Sequence, residues 1–503
     1  MSVPPSSVLT ALDLERRIHT RRGTALTALA LALVWALVVL ALPEGPARPV
    51  AGLLLFLDTA GFGVLFVAVL MLGERTSGAW AALAASPLGA GEYLAARLVV
   101  FTVLGSVAAT PIAVAARPVD GVTGVAVAVV GTALLATLLC AVSVAACASA
   151  RGLADLMVSV PLCLGPLLAP PLLVASGIAG HPAWYAVPTT AAHTVVRWGL
   201  DPSAVPLPGT AVAALAAVAV VATAGACVWA RRALVRARTA EGDRPPWTRV
   251  RGPRRTRVPR AEGAPVRILA RVDLRDAATD GMVWALVAGP VVVALGLRAG
   301  LPLVADTPVL AGVDVASWRP VLLAALVLLH VPMMAGSVVA LRAVEDRERG
   351  TLALWSASPL GAGTYLTCRA VAAAGLTAVQ LALTLPLSGL ADGDTWSMVA
   401  AVAVAGLLAA ALALAVTAVA RDRMRALVVL KGVGVLFVLV PVAAWVLPPP
   451  WVWFLLPLPV VWPLAALPAY GLAPVALAAP CGTVAGALLA GAAWWWARSA
   501  VSR

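Results

Sequence analysis

A chain of 503 residues that is 62% hydrophobic and 12% charged, with a mean hydropathy of +0.97, is excluded from the soluble globular class, in which about a quarter of residues carry charge. Apolar runs close to the roughly 20 residues that cross a bilayer recur along its length, so the fold class is all-α, a polytopic membrane protein. The net charge of +13 does not point to nucleic acid: arginines collect in the loops kept on the cytoplasmic side of a membrane, and no basic stretch is joined to a recognition fold.

Residues 8–22 set Leu9, Leu12, Leu14 and Ile18 against Asp13, Glu15 and Arg16. This pattern predicts a short amphipathic helix lying on the inner membrane surface. An apolar run at 24–42 follows a basic lead but no small-residue cleavage site, so it reads as an uncleaved first span. Further spans are expected near 50–72, 93–115, 122–148, 153–178 and 209–230. An irregular stretch rich in Pro and Trp, 179–206, precedes the last of these. The basic loops fall on one side, which places the amino terminus and the end of the sixth span in the cytoplasm.

Residues 231–275 carry fourteen arginines against four acids, with several prolines. This reads as a basic cytoplasmic linker held near anionic lipid. The pattern then recurs: Asp273-Leu274 stands where Asp13-Leu14 stood, and spans are expected near 282–300, 319–343, 364–388, 396–420, 427–447 and 472–497. The expected organisation is a first six-span half (1–230), the linker (231–265) and a second six-span half (266–503). That gives about 12 transmembrane helices as a 6+6 parallel repeat with both termini cytoplasmic. A further outer stretch, 445–471, is apolar yet broken by prolines. It reads either as a Trp belt at the outer interface or as a re-entrant hairpin covered by protein.

The repeat is sharpest in two charged islands. Glu74-Arg75-Thr-Ser-Gly78 leads to Ser86-Pro87-Leu88-Gly-Ala-Gly91, and Asp346-Arg347-Glu-Arg-Gly350 leads to Ser358-Pro359-Leu360-Gly-Ala-Gly363, a constant offset of 272. In each, the glycine allows a sharp change of direction. A helix of about eight residues is expected over 79–85 and 351–357. Ser-Pro then stops that helix and starts the next, with Ser as cap and Pro in its first turn. Tyr93-Leu94 and Tyr365-Leu366 open the following spans.

These islands, Glu/Asp-Arg-x-x-Gly, an apolar stretch, Ser-Pro-Leu, then Tyr-Leu and a basic residue, resemble the first cytoplasmic loop of type-two ATP-binding-cassette (ABC) exporter permeases. The resemblance covers nearly the whole chain as two fused copies. It implies a coupling helix that docks on a nucleotide-binding subunit, and so assigns docking to Glu74, Arg75, Gly78, Ser86, Pro87 and Leu88, with Asp346, Arg347, Gly350, Ser358, Pro359 and Leu360. Ala79 and Thr364 depart from the family pattern where Thr351 and Glu92 keep it, which implies unequal engagement of the two halves.

A phosphate-binding loop needs a lysine in Gly-x-x-x-x-Gly-Lys-Ser/Thr, and the single lysine, Lys431, sits in Val-Leu-Lys-Gly. The chain is therefore expected to be no enzyme and to hold no cofactor. ATP and Mg would be bound by separate ATPase partners, two copies per chain. Six cysteines without a Cys-x-x-Cys and four scattered histidines suggest neither disulfides nor a metal site. Asp58 and His330, again 272 apart, lie inside expected spans about 24 Å from their islands at the helical rise. One reading has them meet near the exit as a gate or substrate contact; the other has two unrelated interfacial groups. The resemblance implies export of a lipophilic antibiotic, drug or lipid across a bacterial inner membrane. A proton-coupled 12-span secondary transporter is the alternative.

Overall fold

The computed structural model describes residues 7–21, 24–42, 44–61, 67–76, 80, 82–83, 86–148, 153–175, 181–242, 281–305, 316–358, 361–391, 394–447, 451–472 and 475–501. All of their regular structure is helical. The chain separates into two compact units, Met1–Arg257 and Val258–Arg503.

In the first unit α1 (Ser7–Arg21) is the expected amphipathic helix, with Ala11 and Glu15 buried and Leu9 and Leu14 exposed. Next come α2 (Thr24–Ala41), α3 (Glu44–Gly61), α4 (Val67–Thr76), α5 (Ala90–Ala115), α6 (Gly121–Cys147), α7 (Leu153–Ala175), α8 (Pro188–Leu200) and α9 (Gly209–Gly242). In the second unit α10 (Gly281–Ala305) is followed by α11 (Arg319–Leu323), one π-helical turn (Ala324–Leu328) and α12 (His330–Glu348). The rest are α13 (Thr351–Ala357), α14 (Gly361–Ser388), α15 (Thr395–Val419), α16 (Arg423–Val446), α17 (Val461–Ala465) and α18 (Val475–Val501).

Among the described residues, 7 helices are long and apolar enough to cross a membrane, and Ala28–Ala41, Cys163–Ala175 and Ala288–Pro302 are shorter apolar stretches. The protein is an all-helical, multi-pass membrane protein. Intrahelical bonding is what a bilayer demands, because hydrocarbon offers backbone groups no other partner. Surface and core divide accordingly along α5. Val99, Val103 and Val107, one turn apart, are exposed, while Phe101, Ala108, Ala109 and Ile112 are buried. On α14 the exposed Val371 and Val379 stand 272 residues beyond Val99 and Val107.

Two elements depart from the sequence reading. α9 does not stop at Arg231-Arg232 but runs to Gly242, since Arg and Ala are good helix formers and no Pro or Gly interrupts before Gly242. The stretch 179–206 is also more ordered than a connection between spans. It holds 3-10 turns at Pro182–Ala186 and Pro202–Ala204 around α8, a helix buried over Thr189–Val196. His193 of α8 is 2% exposed, with Nε2 3.2 Å from the Gly52 carbonyl of α3 and its ring 5.1 Å from that of Phe56. In the second unit the outer stretch is a chain of short turns, Trp451–Leu455, α17 and Pro468–Tyr470. Seven prolines between 448 and 468 leave no room for a longer helix. The second amphipathic lead (266–276), the linker beyond Gly242 and the inner turn at 149–152 lie outside the described residues.

Glycine sets the α6–α8 spacing. A Cβ on Gly199 would sit 2.6 Å from the Ala128 backbone nitrogen, and one on Gly131 2.9 Å from that of Val196. Gly199→Ala therefore drives two backbones apart. Such overpacking costs about 1–3 kcal/mol, so the purified protein should melt several degrees below the wild type, whereas Gly225→Ala, which meets nothing within 4 Å inside α9, should leave the melt at or slightly above it.

Candidate functional site: two braced loops

Each island is built around an acid, a tyrosine and an arginine. In the first unit Glu74 lies in the last turn of α4, and Tyr93 and Arg97 lie one turn apart on α5. Tyr93 Oη donates to Glu74 Oε2 at 2.6 Å, and Arg97 Nη2 donates to Glu74 Oε1 at 2.5 Å. Arg97 is completely buried, with its guanidinium 4.7 Å from the Tyr93 ring centre. In the second unit Tyr365 Oη donates to Asp346 Oδ2 at 2.6 Å and Arg369 Nη2 to the same oxygen at 3.2 Å. Its guanidinium lies 4.9 Å from the Tyr365 ring. All three positions keep the offset of 272. The outgoing helix of each loop is thus fastened to the end of the helix that enters it.

The first copy has a second carboxylate. Arg97 Nε and Nη2 donate to Glu15 Oε1 of α1 at 3.1 and 2.9 Å. Burying an arginine is costly unless its charge is matched and its N–H groups are satisfied, and here one guanidinium ties α1, α4 and α5 together. Arg238, near the end of α9, adds a second positive charge. It donates to the Leu88 carbonyl at 2.7 Å and lies 6.0 and 5.9 Å from the Trp80 and Tyr93 rings, within cation–π reach. The sequence counterpart of Glu15 is Arg275, outside the described residues. On the surface of α1, hydrogen bonds from Arg16 and then Arg17 hold the Asp13 carboxyl below its usual range.

The second copy is braced differently. Arg347 Nη1 donates to the Ala420 carbonyl at 2.7 Å, and Glu348 receives the backbone N–H and Nε of Arg423 at 2.9 and 2.6 Å. The base of the loop is therefore clamped to the inner turn between α15 and α16. Gly350 has φ +73, the left-handed conformation expected of a sharp entry, and α13 covers the expected Thr351–Ala357. The last helix closes against the loop's shared Gly-Ala-Gly. Trp494 Nε1 of α18 lies 3.3 Å from the Gly363 carbonyl, and a Cβ on Gly363 would sit 3.2 Å from the Trp494 ring. At Gly91 the neighbour is Arg231 of α9, 3.6 Å away.

The serines act at the other end from the one the sequence suggested. Ser86 Oγ donates to the Leu83 carbonyl at 2.8 Å and accepts from the Leu88 N–H at 3.4 Å, and Ser358 Oγ donates to the Trp355 carbonyl at 2.7 Å, where it closes α13. The next helix begins beyond them: Glu92 accepts from the Gly89 N–H at 2.7 Å at the start of α5, and α14 starts at Gly361. The acids are also turned inward, onto Tyr and Arg. Among the described residues the exposed surface is instead made by Ala82, Pro87 and Gly89 in the first loop and by Ala353, Ala357 and the 73% exposed Leu354 in the second. Arg75 lies in the last turn of α4; Gly78, Pro359 and Leu360 lie outside the described residues. Asp58 is half-buried near the end of α3 and lines a cavity; His330 is half-buried directly after the π turn. Among the described residues no group of three His, Cys, Asp or Glu side chains is placed to hold a metal ion.

Residues 273–498 match the family described as Fluoroquinolones export permease protein Rv2686c-like. The chain is 28% identical over 185 residues to the Fluoroquinolones export permease protein Rv2686c of Mycobacterium tuberculosis (strain ATCC 25618 / H37Rv), an alignment covering 36% of this chain and 73% of the relative. The same figures hold for the Fluoroquinolones export permease protein MT2760 of Mycobacterium tuberculosis (strain CDC 1551 / Oshkosh). The second half is thus similar to a bacterial export permease.

Arg97→Ala leaves Glu15 and Glu74 facing each other without a cation, and a broken buried pair costs about 3–5 kcal/mol. Its loss of stability should exceed that of Tyr93→Phe or Tyr365→Phe, each of which removes one hydrogen bond to a carboxylate, worth about 1.5–3 kcal/mol. Equal melting curves for Arg97→Ala and the wild type would remove the brace.

Proposed function

We propose that the chain is the membrane subunit of an ABC exporter, two six-span halves fused into about 12 spans as a parallel repeat, driven by separate ATPase subunits. The observation that carries this reading is the pair of cytoplasmic loops, each fixed at its base by the same acid, tyrosine and arginine. A loop braced in this way transmits a push at its tip to the spans on either side, which a loosely tethered loop cannot do. The similarity of residues 273–498 to an export permease family agrees with it.

In this reading two ATPase copies bind ATP and Mg and dock on the loops. Glu74, Arg75, Gly78, Ser86, Pro87 and Leu88, with Asp346, Arg347, Gly350, Ser358, Pro359 and Leu360, form the coupling segments. The inward-facing members shape the loops, and the exposed Pro87 and Leu354 meet the partner. Asp58 and His330 serve the pathway. The cargo is a lipophilic antibiotic, drug or lipid moved out across a bacterial inner membrane with both termini cytoplasmic; the names of the relatives favour antibiotics. One observation favours the alternative, a proton-coupled secondary transporter: Asp58 is a carboxylate facing a cavity inside a span.

Co-expression with the ATPase subunit encoded nearest to this chain separates the two. The wild type should retain the ATPase through purification, and Leu354→Arg, a surface change on α13, should lose it without lowering the melting temperature. Transport in proteoliposomes driven by a pH gradient without ATP, with no ATPase retained, would replace the exporter reading by the alternative.

A further inference from the structure

α9 is longer than the bilayer it crosses. Its 34 residues reach about 51 Å at the helical rise, against about 30 Å of hydrocarbon. Gly209–Ala230 carries no charge and covers that thickness alone; Arg231, Arg232, Arg236 and Arg238 follow, with no acid before Glu241. The arginine-bearing end therefore stands at the level of the lipid headgroups and beyond.

The two faces of this extension have different neighbours. Ala230, Leu234 and Arg238, four residues apart, share one face. Ala230 and Leu234 are fully buried, Arg238 donates to the Leu88 carbonyl at 2.7 Å, and its guanidinium lies 6.0 and 5.9 Å from the Trp80 and Tyr93 rings. This face belongs to the first loop. On the opposite face Val221, Val228 and Val235, seven residues apart, are 71, 51 and 45% exposed. Trp229, Arg232 and Arg236 form the adjoining stripe, and all three are exposed. Exposure thus continues without a break from the apolar part of the span into the arginines, with a tryptophan where interfacial tryptophans sit.

The side chains of Arg232 and Arg236 take part in no hydrogen bond or ion pair among the described residues. The exposed arginines of α1 differ, since Arg16 and Arg17 both pair with Asp13, at 2.8 and 2.6 Å. A guanidinium fork fits the oxygens of a phosphate diester, and the valines of the same face fit its acyl chains. An acidic protein surface would answer the arginines but not the exposed valines that precede them.

We infer that the exposed face of the α9 extension is a site for an anionic phospholipid, with Arg232 and Arg236 as headgroup contacts, and that Arg238 on the opposite face passes its occupancy to the first loop. A helix fixed at its headgroup face holds the Leu88 carbonyl and the Tyr93 ring in place; released from lipid, it loosens the loop with it. The consequence for transport, coupling that depends on bilayer charge, rests on the exporter reading. Lipid contact and loop order are measured on the chain without an ATPase, so either reading can fail alone.

The test uses the full-length chain in nanodiscs of phosphatidylcholine, with and without phosphatidylglycerol. Photoactivatable phosphatidylglycerol should crosslink to residues 228–239 about fivefold or more above its phosphatidylcholine analogue, the factor that one arginine near an anionic surface supplies. Arg232→Gln/Arg236→Gln should abolish the excess while elution profile and melting curve stay those of the wild type. Amide exchange over residues 86–93 should slow severalfold in the wild type when phosphatidylglycerol is present. Neither the double variant nor Arg238→Gln should show that slowing, although Arg238→Gln keeps the crosslinks. High salt, at which the screening length falls to about 3 Å, should weaken both effects. Equal crosslinking by the two lipids, an excess that survives in Arg232→Gln/Arg236→Gln, or wild-type loop exchange indifferent to phosphatidylglycerol would overturn the inference. Loss of a co-purifying ATPase subunit from the double variant with its crosslinks unchanged would also overturn it, and would assign the face to that protein.

Discussion

The ionic contact between Arg97 and Glu74, with its counterpart between Arg369 and Asp346, is the constraint on which the loop-bearing ends of both units depend. Each joins the helix that enters a loop to the helix that leaves it. Removing a guanidinium from water is repaid only where the match is close, so these side chains admit little drift. A tyrosine one turn before each arginine shares the same carboxylate and leaves its ring under the guanidinium. In the second loop the short helix α13 is thereby held between α12 and α14.

Around this shared core the two loops are supported from different directions. The first is tied to the surface helix α1 through Glu15 and to α9 through Arg238. The second is tied to the turn between α15 and α16 through Arg347 and Arg423. A force on the first loop is therefore shared with α1 and α9, whereas one on the second passes into α15 and α16. The corners at the opposite helix ends show the same economy. Arg48 donates to the carbonyl of Arg117 and Arg319 to that of Gly389, and both accepting residues have positive φ.

Much of this was legible in the sequence because hydropathy and arginine placement report directly on bilayer physics. Helices stand where the apolar runs are, and α13 has the bounds that Gly350 and Ser358 imply. The inward turn of Glu74 and Asp346 was not, because a charged residue beside a loop reads as solvated until its partner is seen. The constant offset was a usable signal: it also pairs Tyr93 with Tyr365 and Arg97 with Arg369. No such signal existed for Glu15 or Arg238, whose contacts span 82 and 150 residues without a matching pair. The ordered α8 was hidden by its prolines, which begin helices as readily as they end them.

The π turn at Ala324–Leu328 has a further meaning once these two corners are compared. Arg48 precedes Asp58 by ten residues, but Arg319 precedes His330 by eleven. A wider turn, closed here by the Leu329 N–H on the Ala324 carbonyl at 2.9 Å, takes in one more residue than an α-helical turn. The surplus is absorbed locally: Arg319 still reaches its corner carbonyl, and His330 still stands sixteen residues from Asp346, as Asp58 does from Glu74. The one-residue difference is held as a bulge instead of being passed on as a rotation of the whole helix, which would carry either Arg319 or Asp346 out of register with its partner.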